Sequence, residues 1–82
     1  MKVARKDNKR FATLTMTFDD KKEALKTYDD IHAITEKIIV DKNYDTFFES
    51  RYSDELEGQK VTFRTSLKRA NDEYKVIFDK YL

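Results

Sequence analysis

The sequence predicts an α+β domain in which a small antiparallel sheet packs against two amphipathic helices. Three observations carry that expectation. Arg10 to Phe18 alternates strictly between apolar and Thr-rich positions, the signature of a half-buried strand. From Ala24 to Ile38 the apolar residues recur at helical spacing. The same order returns near the C-terminus, with alternation at Lys60–Thr65 followed by an apolar stripe from Leu67 to Tyr81.

The elements follow in order. Lys2 to Arg5 pairs with the strand at 10–18 through a turn at Lys6-Asp7-Asn8-Lys9, because Asp and Asn tolerate turn conformations. Along the strand Ala12, Leu14, Met16 and Phe18 fall on one side, and Phe11, Thr13, Thr15 and Thr17 on the other. Asp19-Asp20 ends it, and Asp20-x-x-Glu23 has the spacing of a capping box. A helix is therefore expected over 20–39, with Ala24, Tyr28, Ile31, Thr35 and Ile38 inward. Residues 44–57 carry two patterns. Tyr44, Phe48, Tyr52 and Leu56 recur every four residues, Thr46-x-x-Glu49 has capping spacing, and Gly58 suits a helix C′ position, which favours a helix. Thr46, Phe48, Ser50 and Tyr52 also alternate with Phe47, Glu49, Arg51 and Ser53, which leaves a strand as the alternative. Lys60–Thr65 is the third strand expected, and a helix capped by Ser66 fills 66–81. The sheet is thus the N-terminal hairpin plus the strand near 60–65.

Eighty-two residues suffice for one hydrophobic core and one domain, 1–82. With no Cys, a disulfide framework or Cys-based metal site is excluded, so packing must supply the stability, and six Phe and five Tyr provide large apolar areas for it. The longest apolar run, Ile38-Ile39-Val40, falls far short of a membrane span, and the basic N-terminus runs into a Thr-alternating segment and not into the apolar stretch of a signal peptide. A cytoplasmic setting is the expectation. Lys exceeds Arg 12 to 5, and Pro and Trp are missing, a usage associated with AT-rich bacterial or phage genomes.

Catalytic chemistry finds little footing. His32, the single histidine, has only Asp29 as a carboxylate at helical spacing, and neither a nucleophile nor an oxyanion donor can be assigned with it. Asp19-Asp20, Asp29-Asp30 and Asp54-Glu55-x-Glu57 lack metal-ligand spacing. One glycine cannot build a phosphate loop. No enzyme activity, cofactor or metal is expected.

Charge distribution is more telling than its net value of +1. Residues 1–10 carry +4 and residues 60–69 another +4, while 11–59 carry −6. If the two basic segments meet, Lys2, Arg5, Lys6, Lys9, Arg10, Lys60, Arg64, Lys68 and Arg69 join one surface. Phe11, Thr13, Thr15 and Thr62 would then add a stacking ring and phosphate-binding hydroxyls, a face suited to nucleic acid. Residues 10–31, a Thr-alternating strand leading through acidic caps into a helix, resemble the first half of a ribbon-helix-helix DNA-binding protein. The resemblance covers barely a quarter of the chain. It implies base contacts from Thr13, Thr15 and Thr17, and a dimer core of Leu14, Met16 and Phe18. The competing class is a small bacterial or phage protein that regulates or inhibits a protein partner. Its candidate anchors are Phe47, Arg51 and Tyr52, because aromatics and Arg are enriched where partners bind. A protein partner ranks ahead of nucleic acid here, no membrane partner is expected, and a homodimer is compatible with either class.

Overall fold

The computed structural model describes residues 1–42 and 47–82. The element order is β1 (Lys2–Asp7), β2 (Phe11–Phe18), α1 (Lys21–Lys42), β3 (Glu49–Glu55), β4 (Gly58–Ser66), α2 (Leu67–Ala70) and α3 (Lys75–Tyr81). The strands form one four-stranded antiparallel sheet in the order β1-β2-β4-β3. Two hairpins therefore lie side by side, joined along their inner strands, with the helices packed on one face.

Each hairpin closes for a local reason. Between β1 and β2, the Asn8 side-chain carbonyl accepts from the backbone N–H of both Arg10 and Phe11, each at 2.8 Å. The Asn8 backbone N–H donates to the Phe11 carbonyl at 2.9 Å, so the turn is centred slightly later than the sequence suggests. Between β3 and β4, Leu56 and Glu57 form a two-residue connection, and Glu55 pairs with Gly58. Gly58 has φ 137°, a left-handed conformation that other residues rarely adopt. A Cβ at Gly58 would stand 2.7 Å from the Phe18 carbonyl oxygen.

In segment 44–57 the strand alternative holds over the slightly favoured helix. Its described part contains the strand β3, with Gly58 beginning the next strand and not terminating a helix. Tyr44 and Thr46, on which the helix reading partly rested, lie outside the described residues. The other outlier is Leu56, which is fully exposed at the hairpin tip and so leaves the four-residue stripe without its last member. Tertiary pairing decides the matter: β4 has β2 on one side, and β3 satisfies the backbone groups of its other edge while packing a half-buried Tyr52 opposite Val61. The expected helix over 66–81 is also interrupted. Ser66 caps α2 as expected, its hydroxyl accepting from the Arg69 N–H at 3.2 Å, but the chain turns through Asn71–Tyr74 before α3 begins.

The core is set by strand parity. Ala12, Leu14, Met16 and Phe18 of β2 and Val61, Phe63 and Thr65 of β4 are buried against Ala24, Ile31 and Thr35 of α1 and Ala70, Tyr74, Ile77 and Phe78 of the C-terminal region. Asp20 caps α1, its carboxylate accepting from the Lys22 N–H at 3.0 Å. Phe63 stands at the centre of an aromatic group, with ring centroids 5.8 Å from Phe48, 5.4 Å from Tyr74 and 6.0 Å from Phe78. Among the described residues no helix is long and apolar enough to cross a membrane.

Gly58→Ala tests the hairpin closure. It should destabilise the protein by about 1–3 kcal/mol through backbone strain, read as a lowered urea midpoint with an unchanged slope. A midpoint equal to the native protein's would contradict this account of the turn.

Candidate functional site

Among the described residues every helix lies on one side of the sheet, and the other face is open. Directly paired residues share a face, so the register writes out its rows. At one end Phe11 pairs with Ser66. The next row runs Lys6, Thr13, Arg64, Glu49 from β1 to β3. Ala4, Thr15, Thr62, Arg51 follow, then Lys2, Thr17, Lys60, Ser53, and at the far end Gly58 pairs with Glu55.

The sequence-derived basic residues divide accordingly. Lys2, Lys6, Lys60 and Arg64 lie on the open face with Phe11, Thr13, Thr15, Thr17 and Thr62, so the two basic segments converge on it. Lys9 and Arg10 are exposed in the β1–β2 turn, and Lys68 is exposed on α2. These belong to the same end of the sheet, because the Leu67 N–H donates to the Arg10 carbonyl at 3.0 Å. Arg5 does not join them. It sits on the core side of β1, where its guanidinium lies 4.8 Å from the Phe78 ring centroid and pairs with Asp7 at 2.8 Å. Nor is Arg69 an open-face cation, since it pairs with Glu73 one turn further along the chain. Tyr52 is likewise corrected as an exposed anchor. It is half-buried on the core side and its hydroxyl donates to the Gln59 side-chain carbonyl. Phe47 and Arg51 are exposed as expected.

Phe11 is not a bare ring. The Arg64 guanidinium lies 4.0 Å from its centroid, and Phe47 approaches with centroids 5.7 Å apart at 48°. Phe47 itself is 45% exposed, while its backbone carbonyl accepts from the Thr65 hydroxyl at 2.6 Å. An aromatic and guanidinium cluster therefore caps the basic end. The sequence pattern showed no sign of it, because Phe47 and Phe11 are far apart in the chain.

The far end is acidic, with Asp19, Asp20, Glu55 and Glu57 near the β3–β4 turn and the end of β2. Lys60 is held there by Glu55 at 3.2 Å and Glu57 at 3.4 Å, and Glu55 also accepts from the Ser53 hydroxyl at 2.6 Å. The Ser53 hydroxyl and then Lys60 hold the Glu55 carboxyl below its usual range, and Glu55 in turn raises the Lys60 ammonium. Arg64 is less firmly engaged, 3.7 Å from Glu49 with both side chains well exposed, a geometry worth about 0–1 kcal/mol. Two shallow depressions flank the Thr rows. One of ≈360 Å³ is lined by Arg51, Ser53, Glu55, Lys60 and Thr62, and one of ≈450 Å³ by Lys2, Ala4, Thr15 and Thr17.

Elsewhere, His32 packs edge-on to Tyr28 at 4.6 Å, and its Nε2 is buried with no hydrogen-bond partner among the described residues. Among the described residues no carboxylate orients it, and no group of three His, Asp or Glu is arranged to hold a metal. The ribbon-helix-helix reading fails on pairing. β2 has both edges filled within its own chain, and Leu14, Met16 and Phe18 are consumed by the intramolecular core. No protein-family model matches the chain, and no curated protein or solved structure matches it either.

The Glu55 environment gives a pH test. A lowered folded-state pKa contributes stability that is complete above the unfolded value and lost as pH falls through the folded one. The Glu55 side-chain carbon should therefore titrate by NMR with a midpoint below that of a Glu in the unfolded chain, and Ser53→Ala should move that midpoint up. An unchanged midpoint in the variant would remove Ser53 as the cause.

Proposed function

We propose that this chain is a non-enzymatic, cytoplasmic binding protein that contacts nucleic acid through the open face of its sheet. One observation supports this most: β4 lies against β2 with β1 on the other side, which gathers Lys2, Lys6, Lys60 and Arg64 around a row of threonines. With Arg51 of β3, the face holds five cations against the carboxylates of Glu49 and Glu55, a net of +3 in a chain whose total is +1. Such a face offsets phosphate charge and releases counterions on binding. The hydroxyls of Thr13, Thr15, Thr17 and Thr62 have no hydrogen-bond partner among the described residues, so they are available to phosphate oxygens.

A second reading keeps a protein partner, with the chain acting as a small bacterial or phage regulator or inhibitor. It is favoured by the exposure of Phe47 and Arg51 on this face and of Leu56 at the β3–β4 turn. Convergence of the basic segments is the support on which we rank nucleic acid ahead of a protein partner.

Fluorescence anisotropy of labelled DNA and RNA against the protein at several salt concentrations separates the two. The expected result is binding that weakens linearly in log–log form with salt, with the slope reduced by about 1 for each of Lys6→Ala and Arg64→Ala. Absence of binding at low ionic strength would overturn the nucleic-acid reading and leave the protein partner.

A further inference from the structure

We propose that the open face takes single-stranded nucleic acid and not duplex, with one base stacked on Phe47 beside the Arg64 guanidinium. This deepens the nucleic-acid reading and rests on it. Three features of the face converge on it.

The first is an available π-surface. Phe47 is 45% exposed and fixed from behind by the Thr65 hydroxyl on its carbonyl and by the Phe11 ring. Phe11, the ring expected from sequence to stack, is covered by Arg64 at 4.0 Å, which leaves Phe47 and the outer side of the guanidinium as the stacking surfaces. A base presents its π-face to such a surface only when it is unpaired and unstacked.

Second, the charge along the face is uneven. Lys6, Lys9, Arg10, Arg64 and Lys68 outnumber Asp7 and Glu49 at the end that carries Phe47, whereas Asp19, Asp20, Glu55 and Glu57 outnumber Lys2 and Lys60 at the opposite end. A rigid duplex laid along the strands would press phosphates against that acidic end. A single strand crossing the sheet at the Lys6-Thr13-Arg64-Glu49 row meets four strands yet stays among cations, with Thr13 as a hydroxyl donor between Lys6 and Arg64.

Third, the sheet is too broad for a groove. Four strands at about 4.8 Å spacing make about 14 Å between outer backbones, beyond the about 12 Å of the major groove that a two-stranded ribbon enters. Glu49 is the one carboxylate in the proposed row. Its contact with Arg64 is long and exposed, so an incoming phosphate displaces it readily.

Because the chain contains no Trp, Phe47→Trp introduces a sole indole reporter at the stacking position. On titration with oligothymidylate and oligouridylate of about 15 nucleotides, its emission should be quenched saturably, and a duplex of the same length should bind about tenfold more weakly or worse. By anisotropy, Phe47→Ala should weaken single-strand binding about fivefold or more, and Glu49→Gln should tighten it. Equal binding of duplex and single strand, with salt dependence intact but no effect of Phe47→Ala and no indole quenching, would overturn the stacking site and leave the general nucleic-acid reading standing. Failure of the native protein to bind any of these probes at low salt would overturn both.

Discussion

The seam between β2 and β4 is the interaction on which the rest of the structure depends. It joins two hairpins that are each closed by local turns, and it aligns the apolar faces of the two inner strands into one floor. Leu14 opposite Phe63 and Met16 opposite Val61 form the middle of that floor. The aromatic group around Phe63 then gives α3 and Phe48 something to pack against, and Arg5 is drawn under Phe78 at the rim. The same seam fixes the other face. A shift of one residue in its register would turn the threonines inward and the leucine, methionine and phenylalanines outward, so burial on one side holds the polar rows of the other in place.

The two ends of the open face differ in charge. Its acidic end binds its own cation: Lys60 is bracketed by Glu55 and Glu57, with Ser53 completing the cluster. Its basic end is less self-satisfied, because Arg64 is only loosely held by Glu49 and stands over an aromatic ring. Two cations of one strand thus play different parts. Lys60 closes the β3–β4 hairpin, whereas Arg64 remains able to exchange its partner.

Much of this fold was legible in the sequence where the period was long and unbroken. Eight alternating residues in β2 and a stripe in α1 leave little room for another reading, and Asp20 behaves as its position before an apolar-periodic run implies. Residues 49–55 stayed open between helix and strand, with the helix slightly favoured, because Phe48, Tyr52 and Leu56 satisfy a helical stripe in isolation. The competing strand is stabilised by a partner far along the sequence, which local periodicity does not contain. The C-terminal stripe hid a break for a related reason: Ala70 and Tyr74 keep helical spacing across the turn that separates α2 from α3. Of the candidate surface, strand parity placed the threonines, Lys60 and Arg64 correctly, and convergence of the charged segments was conditional on a pairing that only the fold supplies. Arg5 was misassigned because parity puts it with the core, where an aromatic ring and Asp7 compensate its charge. The Phe47–Phe11–Arg64 cluster left no sequence signal, since three separate segments build it.

The hairpin-plus-seam plan also has a kinetic meaning. Within each hairpin the paired residues are close in sequence, whereas across the seam Phe18 and Gln59 are separated by 41 residues and Phe11 and Ser66 by 55. Closing so long a loop before its contacts form is entropically unfavourable, and α1 lessens that loss only once its own turns are in place. Hairpins and helix are therefore expected to form early, with docking of β2 onto β4 as the late, rate-setting step. In a chevron analysis, truncation at Leu14 or Phe63 would then slow folding, while truncation at Ile77 would act mainly by hastening unfolding.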